Sequence, residues 1–235
     1  MEEPSLLALL DRLDAWRHLP AYRLEPRIDA LFSLYLPAVL LRRGVDIRHD
    51  VIPEFPLRRG TLWGEESVAH NASVKVDFAA LSADREQLHL IEFKTDMSSL
   101  RPEQVAYLQK AETISSRDLV VGALSILEAT NSEYVPKYRH LLLALARWGA
   151  LTCDGRLEHL TRSFAGEPVP RLTGVSIPPQ FGKLRPVVWM VQPQQTGEEH
   201  TIGFDEIAST VAGVAGQFSQ SFAAKLRMWA VRPGH

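Results

Sequence analysis

Apolar positions along the chain change period several times, and each change predicts an element. In residues 4–17, Leu6, Leu9, Leu10, Leu13 and Trp16 recur at helical spacing, which predicts a short amphipathic helix ended by Pro20. A second helix is predicted from Pro26 to Arg43, with Ile28, Leu31, Phe32, Tyr35 and Leu36 as its apolar stripe. Pro26 suits a first helical position, Pro37 is placed to kink the helix, and Gly44 to stop it. Residues 45–57 read as an extended segment and 58–71 as a loop carrying Arg58 and Arg59. The period then becomes two. In "ASVKVDFAALS", Val74, Val76 and Phe78 share one face and Lys75, Asp77 and Ala79 the other, which predicts a strand. A turn at "ADREQ" leads to a second strand, "LHLIEFKT", and residues 98–114 form a helix with Pro102 near its first turn.

The second half is less sharply patterned. "SRDLVVGALSILEAT" fits a helix or a buried strand, since a continuous apolar run does not separate the two. A helix is predicted within 133–149, irregular Gly- and Pro-containing connections over 152–185, a strand at "PVVWMV", and one long helix over 203–230. No repeat or linker interrupts the pattern, so a single domain over 1–235 is expected.

One stretch is out of keeping with its surroundings. "HLIEFKTD" reads as a core strand, yet Glu92 and Lys94, two residues apart, point the same way. If the preceding strand pairs with it as a hairpin, Asp77 lies beside Glu92 on that face. Two facing carboxylates in a partly buried site repel and resist desolvation. A hard divalent cation relieves that cost, and Mg²⁺ commonly takes one or two carboxylates while keeping several waters. A lysine alongside would contact a phosphate or the attacking water. Two acids, a lysine and a metal suffice chemically for phosphodiester hydrolysis.

Composition narrows the alternatives. The chain has 235 residues, 46% of them hydrophobic, and a net charge of −2, so any grip on a polyanion must come from a local patch. Its single cysteine, Cys153, excludes an internal disulfide and a paired-cysteine metal site. The eight histidines show no zinc-ligand spacing. The acidic start, with leucines at helical spacing, is unlike a signal peptide, and no apolar run is long enough to span a bilayer. A cytoplasmic protein without a membrane partner is the default expectation.

Asp77 on one strand, with Glu92-Phe93-Lys94 on the next, resembles the signature of the PD-(D/E)xK nuclease superfamily, over roughly residues 22–115. The resemblance implies an α/β fold: a restriction-endonuclease-like αβββαβ core, about 22–130, with a central mixed sheet flanked by helices and helical C-terminal additions. It leaves open whether 118–126 or 186–192 supplies the fourth core strand. It also implies a metal-dependent nuclease acting on nucleic acid, with DNA favoured over RNA, and Mg²⁺ or Mn²⁺ as cofactor. Asp77, Glu92 and the Phe93 carbonyl would bind the metal, and Lys94 would be catalytic. Glu25 looks like the acid many members carry on the first core helix, and Gln104 and Tyr107 like a Gln–Tyr pair on the helix after the lysine strand. The sequence departs from the family by Val76 in place of proline and by a Gln–Tyr spacing one residue short.

Plainer readings stand beside these. Glu92 and Lys94 could form a plain charged edge-strand face, a reading that the flanking Leu90, Ile91 and Phe93 disfavour. Glu25 would also serve as an acid favoured by the start of a helix, and Gln104 and Tyr107 as packing residues. Arg58, Arg59, Lys183 and Arg185 would form a phosphate-binding rim or lie solvated in their loops. Glu54 reads first as a solvated strand-end acid. The same fold without catalysis would be a nucleic-acid-binding or assembly module. A homodimer is left open.

Overall fold

The computed structural model describes residues 6–17, 23–64, 72–97, 101–130, 135–153 and 175–231. The serine and leucine lead-in at 98–100, the loop residues 65–71, the expected stop at Pro20 and most of the irregular stretch after Cys153 lie outside the described residues. The fold is mixed α/β. Five strands form one sheet in the order β1 (Ile52–Arg58), β2 (Ser73–Leu81), β3 (Leu88–Phe93), β6 (Val187–Gln192) and β7 (Thr201–Gly203). β1 and β2 are antiparallel, β6 and β7 parallel, so the sheet is mixed. β4 (Thr152–Cys153) and β5 (Val175–Ser176) form a separate two-stranded piece. The segment "PVVWMV" thus supplies the strand beside β3, whereas 118–126 is helical. Every residue of β3 is buried, as befits the middle strand of a sheet covered on both faces.

The chain divides into two compact units, and β3 and β6 run from one into the other. The first comprises residues 1–47, 91–102 and 189–235. It holds α1 (Leu6–Trp16), α2 (Glu25–Ser33), α3 (Leu36–Arg42), α8 (Phe204–Ala212) and α9 (Gln217–Ala230). The single helix expected from Pro26 to Arg43 is two helices. Pro37 has no N–H to donate and its ring crowds the carbonyl four residues back, so the helix breaks at Leu34–Tyr35 and restarts with the proline in its first turn. Gly44, at φ +77°, ends α3 as expected. Val45 N–H donates to Leu40 O and Gly44 N–H to Leu41 O, the paired bonds of a Schellman cap.

The long C-terminal helix expected over 203–230 is likewise divided. Gly216 stands at φ +126°, which a residue with a Cβ rarely adopts, and α9 starts after it. Leu10 and Leu13 of α1 are buried, and polar contacts pin the helix to α9: Asp14 accepts from Trp229 Nε1 at 2.7 Å and from Lys225 Nζ at 3.0 Å. Arg43 makes a two-pronged bond to Glu206 of α8 and donates to Thr201 O.

The second unit, residues 48–90 and 103–188, holds β1, β2, α4 (Arg59–Trp63), α5 (Pro102–Glu112), α6 (Ser116–Glu128) and α7 (Val135–Arg147). Arg59–Trp63 is a single helical turn where a loop was expected. α6 settles its ambiguous sequence in favour of helix, capped by the Ser115 side chain accepting from Asp118 N–H. Gly122 on α6 allows a close approach, since a Cβ there would stand 2.6 Å from Thr61 Oγ1. Trp148, fully buried, donates its Nε1 hydrogen to Asp50 O.

Candidate active site

Three residues singled out by sequence meet in the first unit: Glu25, Glu92 and Lys94. β3 delivers Glu92, and Lys94 follows its last residue, still held to the sheet by a 2.7 Å bond from its N–H to Val191 O. Between them Phe93 turns its ring into the core. That ring stacks on Phe32 of α2 at 4.7 Å and on Phe204 of α8 at 5.9 Å, and all three are fully buried. On α2, Glu25, Ile28 and Phe32 follow i, i+3, i+7 spacing and so share one face. Packing Phe32 against Phe93 therefore carries Glu25 toward the end of β3. The sequence marks Phe32 only as part of an apolar stripe, and Phe204 only as lying near the start of the helix expected over 203–230.

The Lys94 ammonium sits among three oxygens. It lies 2.8 Å from Glu92 Oε1, 3.1 Å from the Phe93 carbonyl and 3.2 Å from Glu25 Oε1. An ammonium has three hydrogens to donate, and these are three acceptors. Lys94 and Glu92 are buried, with side chains 4% and 2% exposed, whereas the Glu25 side chain is 29% exposed. The buried pair carries a large desolvation cost that close geometry and further hydrogen bonds offset. The expected repulsion between acids is thus answered, at Glu92, by the chain's own cation. Glu25 is both the first residue of α2, where a negative charge meets the positive end of the helix dipole, and a partner of Lys94.

The donor set suits a hard cation. Two carboxylates and a backbone carbonyl are all oxygen ligands, the kind Mg²⁺ and Mn²⁺ accept with water completing the shell. The same oxygens already hold a positive charge, that of Lys94. Among the described residues, no group of three or more His, Cys, Asp or Glu side chains is gathered for a metal ion.

The other sequence candidates belong to the second unit. Asp77 is half-buried on β2. The β1–β2 register sets Pro53 opposite Phe78 and Phe55 opposite Val76, which leaves Glu54 and Asp77 as the intervening pair. Glu54 has φ +51°, a left-handed conformation uncommon outside glycine, and its exposed carboxylate bonds Lys75 Nζ at 2.8 Å. Sequence patterning gave no sign of this local twist. Tyr107 on α5 is buried and donates its hydroxyl hydrogen to Lys75 O at 2.9 Å, tying the helix to β2, and Gln104 on the same helix is half-buried. Arg58 is half-buried at the end of β1. Arg59 is exposed, with its guanidinium 5.6 Å from the Trp63 ring centre.

Comparison of the chain with known protein families, curated proteins and solved structures gives no match. Among the described residues no helix is long and apolar enough to cross a membrane.

Proposed function

We propose that the protein is a metal-dependent nuclease of the PD-(D/E)xK type, hydrolysing phosphodiester bonds in DNA. The observation that carries this reading is the meeting of Glu25, Glu92, the Phe93 carbonyl and Lys94. Those are the helix acid and the Glu-x-Lys element of the motif, drawn from separate segments of the chain. A divalent cation, when bound, would supply an activated water and neutralise charge developing on phosphorus. Glu92 and the Phe93 carbonyl would hold it, Glu25 would orient its water shell, and the motif assigns Asp77 to the same ion. Lys94 would stabilise charge on a non-bridging phosphate oxygen or orient the attacking water, because a buried ammonium on a short tether is pre-positioned and needs little reorganisation.

A second reading has an observation of its own. The carboxylates of Glu92 and Glu25 and the Phe93 carbonyl already hold the Lys94 ammonium, an arrangement that also suits a catalytically silent fold serving as a binding or assembly module. One assay separates the two. Supercoiled, linear and single-stranded DNA, and RNA, are incubated with the purified chain in Mg²⁺ or Mn²⁺ and with a chelator. Cleavage that needs the metal, and that disappears in Asp77→Ala, Glu92→Ala and Lys94→Ala proteins of unchanged circular dichroism, supports the nuclease. Cleavage that persists at the wild-type rate in Glu92→Ala overturns the site, and no cleavage of any substrate leaves the silent module.

A further inference from the structure

The ammonium of Lys94 occupies the oxygens that the proposed metal would use. We propose that Lys94 is a resident counter-ion, so that its bonds to Glu92 and Glu25 and the binding of a divalent cation at Glu92 exclude one another. This rests on the nuclease reading and adds to it a built-in competitor. Three facts argue for it. All three ammonium hydrogens have an acceptor within 3.2 Å, so the seated state is saturated rather than incidental. Both members of the Lys94–Glu92 pair are buried, and like charges away from water are poorly screened, so a second cation beside the ammonium is strongly repelled. And Lys94 is fixed to the same strand end as Glu92, by its N–H bond to Val191 O, so it competes from a tether and cannot be diluted away.

Lys94 must therefore leave the carboxylates before a cation is held, and the apparent metal affinity is reduced by the fraction of molecules in which it has left. A buried ammonium that leaves two carboxylates requires new anionic acceptors. The non-bridging oxygens of a substrate phosphate are such acceptors. Metal and phosphodiester are then expected to bind cooperatively, each favouring the withdrawn position of Lys94.

The test is direct binding of Mn²⁺ to the full chain, followed by the loss of the free-ion electron paramagnetic resonance signal, together with the shift in melting temperature that Mn²⁺ produces. Lys94→Met removes the charge and keeps the length of the side chain. It is expected to bind Mn²⁺ about tenfold more tightly than wild type or better, and to gain more thermal stability from the ion. Lys94→Arg, which keeps a cation, should bind as weakly as wild type. Equal or weaker binding by Lys94→Met overturns the inference and leaves the metal site standing, provided wild type binds and Glu92→Gln does not. Absence of binding by wild type and Lys94→Met alike overturns the metal reading itself. Should Lys94→Met not fold, Lys94→Gln, which retains hydrogen-bond donors for the carboxylates, takes its place with the same expected outcomes.

Discussion

Lys94 Nζ lies 2.8 Å from Glu92 Oε1, and neither side chain is more than 4% exposed. Breaking a buried pair by removing one partner costs about 3–5 kcal/mol where the other charge is left uncompensated, and Glu25, 29% exposed, makes up for Glu92 at Lys94 only in part. Glu92→Gln is therefore expected to lower the free energy of unfolding by an amount of that order. Urea denaturation followed by circular dichroism measures it. A loss below about 1 kcal/mol, the level of exposed pairs, would mean that water reaches the pair.

Glu25 is expected to matter less for stability. Its side chain is 29% exposed and stands 3.2 Å from Lys94, so solvent screens the pair. Glu25→Gln should cost about 1 kcal/mol or less in the same denaturation experiment, while slowing any metal-dependent cleavage. Equal destabilisation by Glu25→Gln and Glu92→Gln would contradict the ranking by burial.

The clasp between α1 and α9 gives a pH dependence. Burial alone would raise the Asp14 carboxyl, but hydrogen bonds from Trp229 and Lys225, and the charge of Lys225, hold it below its ordinary value of 3.8. Its contribution to stability is present above that value and lost as pH falls through the lower folded one. Burial alone would lower the Lys225 ammonium, yet bonding to Asp14 and Asp11 holds it above 10.5. Its contribution is present below 10.5 and lost as pH rises through the folded value. Urea midpoints should fall at both extremes, and Asp14→Asn should flatten the acid side of the profile. An unchanged acid limb in that variant would show that the clasp is already broken in solution.

Two glycines with the same sign of φ are expected to respond differently to alanine. Gly182, at φ +64°, would place a Cβ 2.7 Å from the backbone nitrogen of Arg117, which cannot move aside cheaply. Gly197, at φ +84°, has nothing within 4 Å. Gly197→Ala should show only the cost of the left-handed backbone, about 1–2 kcal/mol. Gly182→Ala should exceed it by about 1–3 kcal/mol, as overpacking does. Equal thermal shifts for the two would show that the loop at Gly182 yields.

Strand and helix patterns were most legible where apolar spacing was strict. β2, β3, β6, α1 and α7 appear close to where alternation or helical spacing put them. Gly44 stops α3 where a residue without a Cβ is needed. The break at Leu34–Tyr35 was legible only as a kink at Pro37, and the one before α9 was not legible, because apolar periodicity continues across both while a proline ring and a positive φ interrupt the backbone. β7 is three residues long, too short for any period to register. At the site, the pairing of Glu92 with Lys94 could be read from their i, i+2 spacing. The distance to Glu25 could not, since it depends on Phe32 meeting Phe93 across more than sixty residues of chain.

The Phe32–Phe93–Phe204 stack joins two kinds of chemistry in one residue. Phe93 gives its ring to the core and its carbonyl to the Lys94 ammonium, and the next peptide N–H is bonded to Val191 O. The backbone that carries the charged groups is held against local fraying by three buried rings. In hydrogen-exchange terms, the Lys94 amide is expected in the slowest class. It is expected to exchange with the free energy of unfolding the whole unit rather than with that of a loop. The strand end that carries the acid and the base therefore keeps its place as long as the aromatic packing of its unit does, and loses it with that packing.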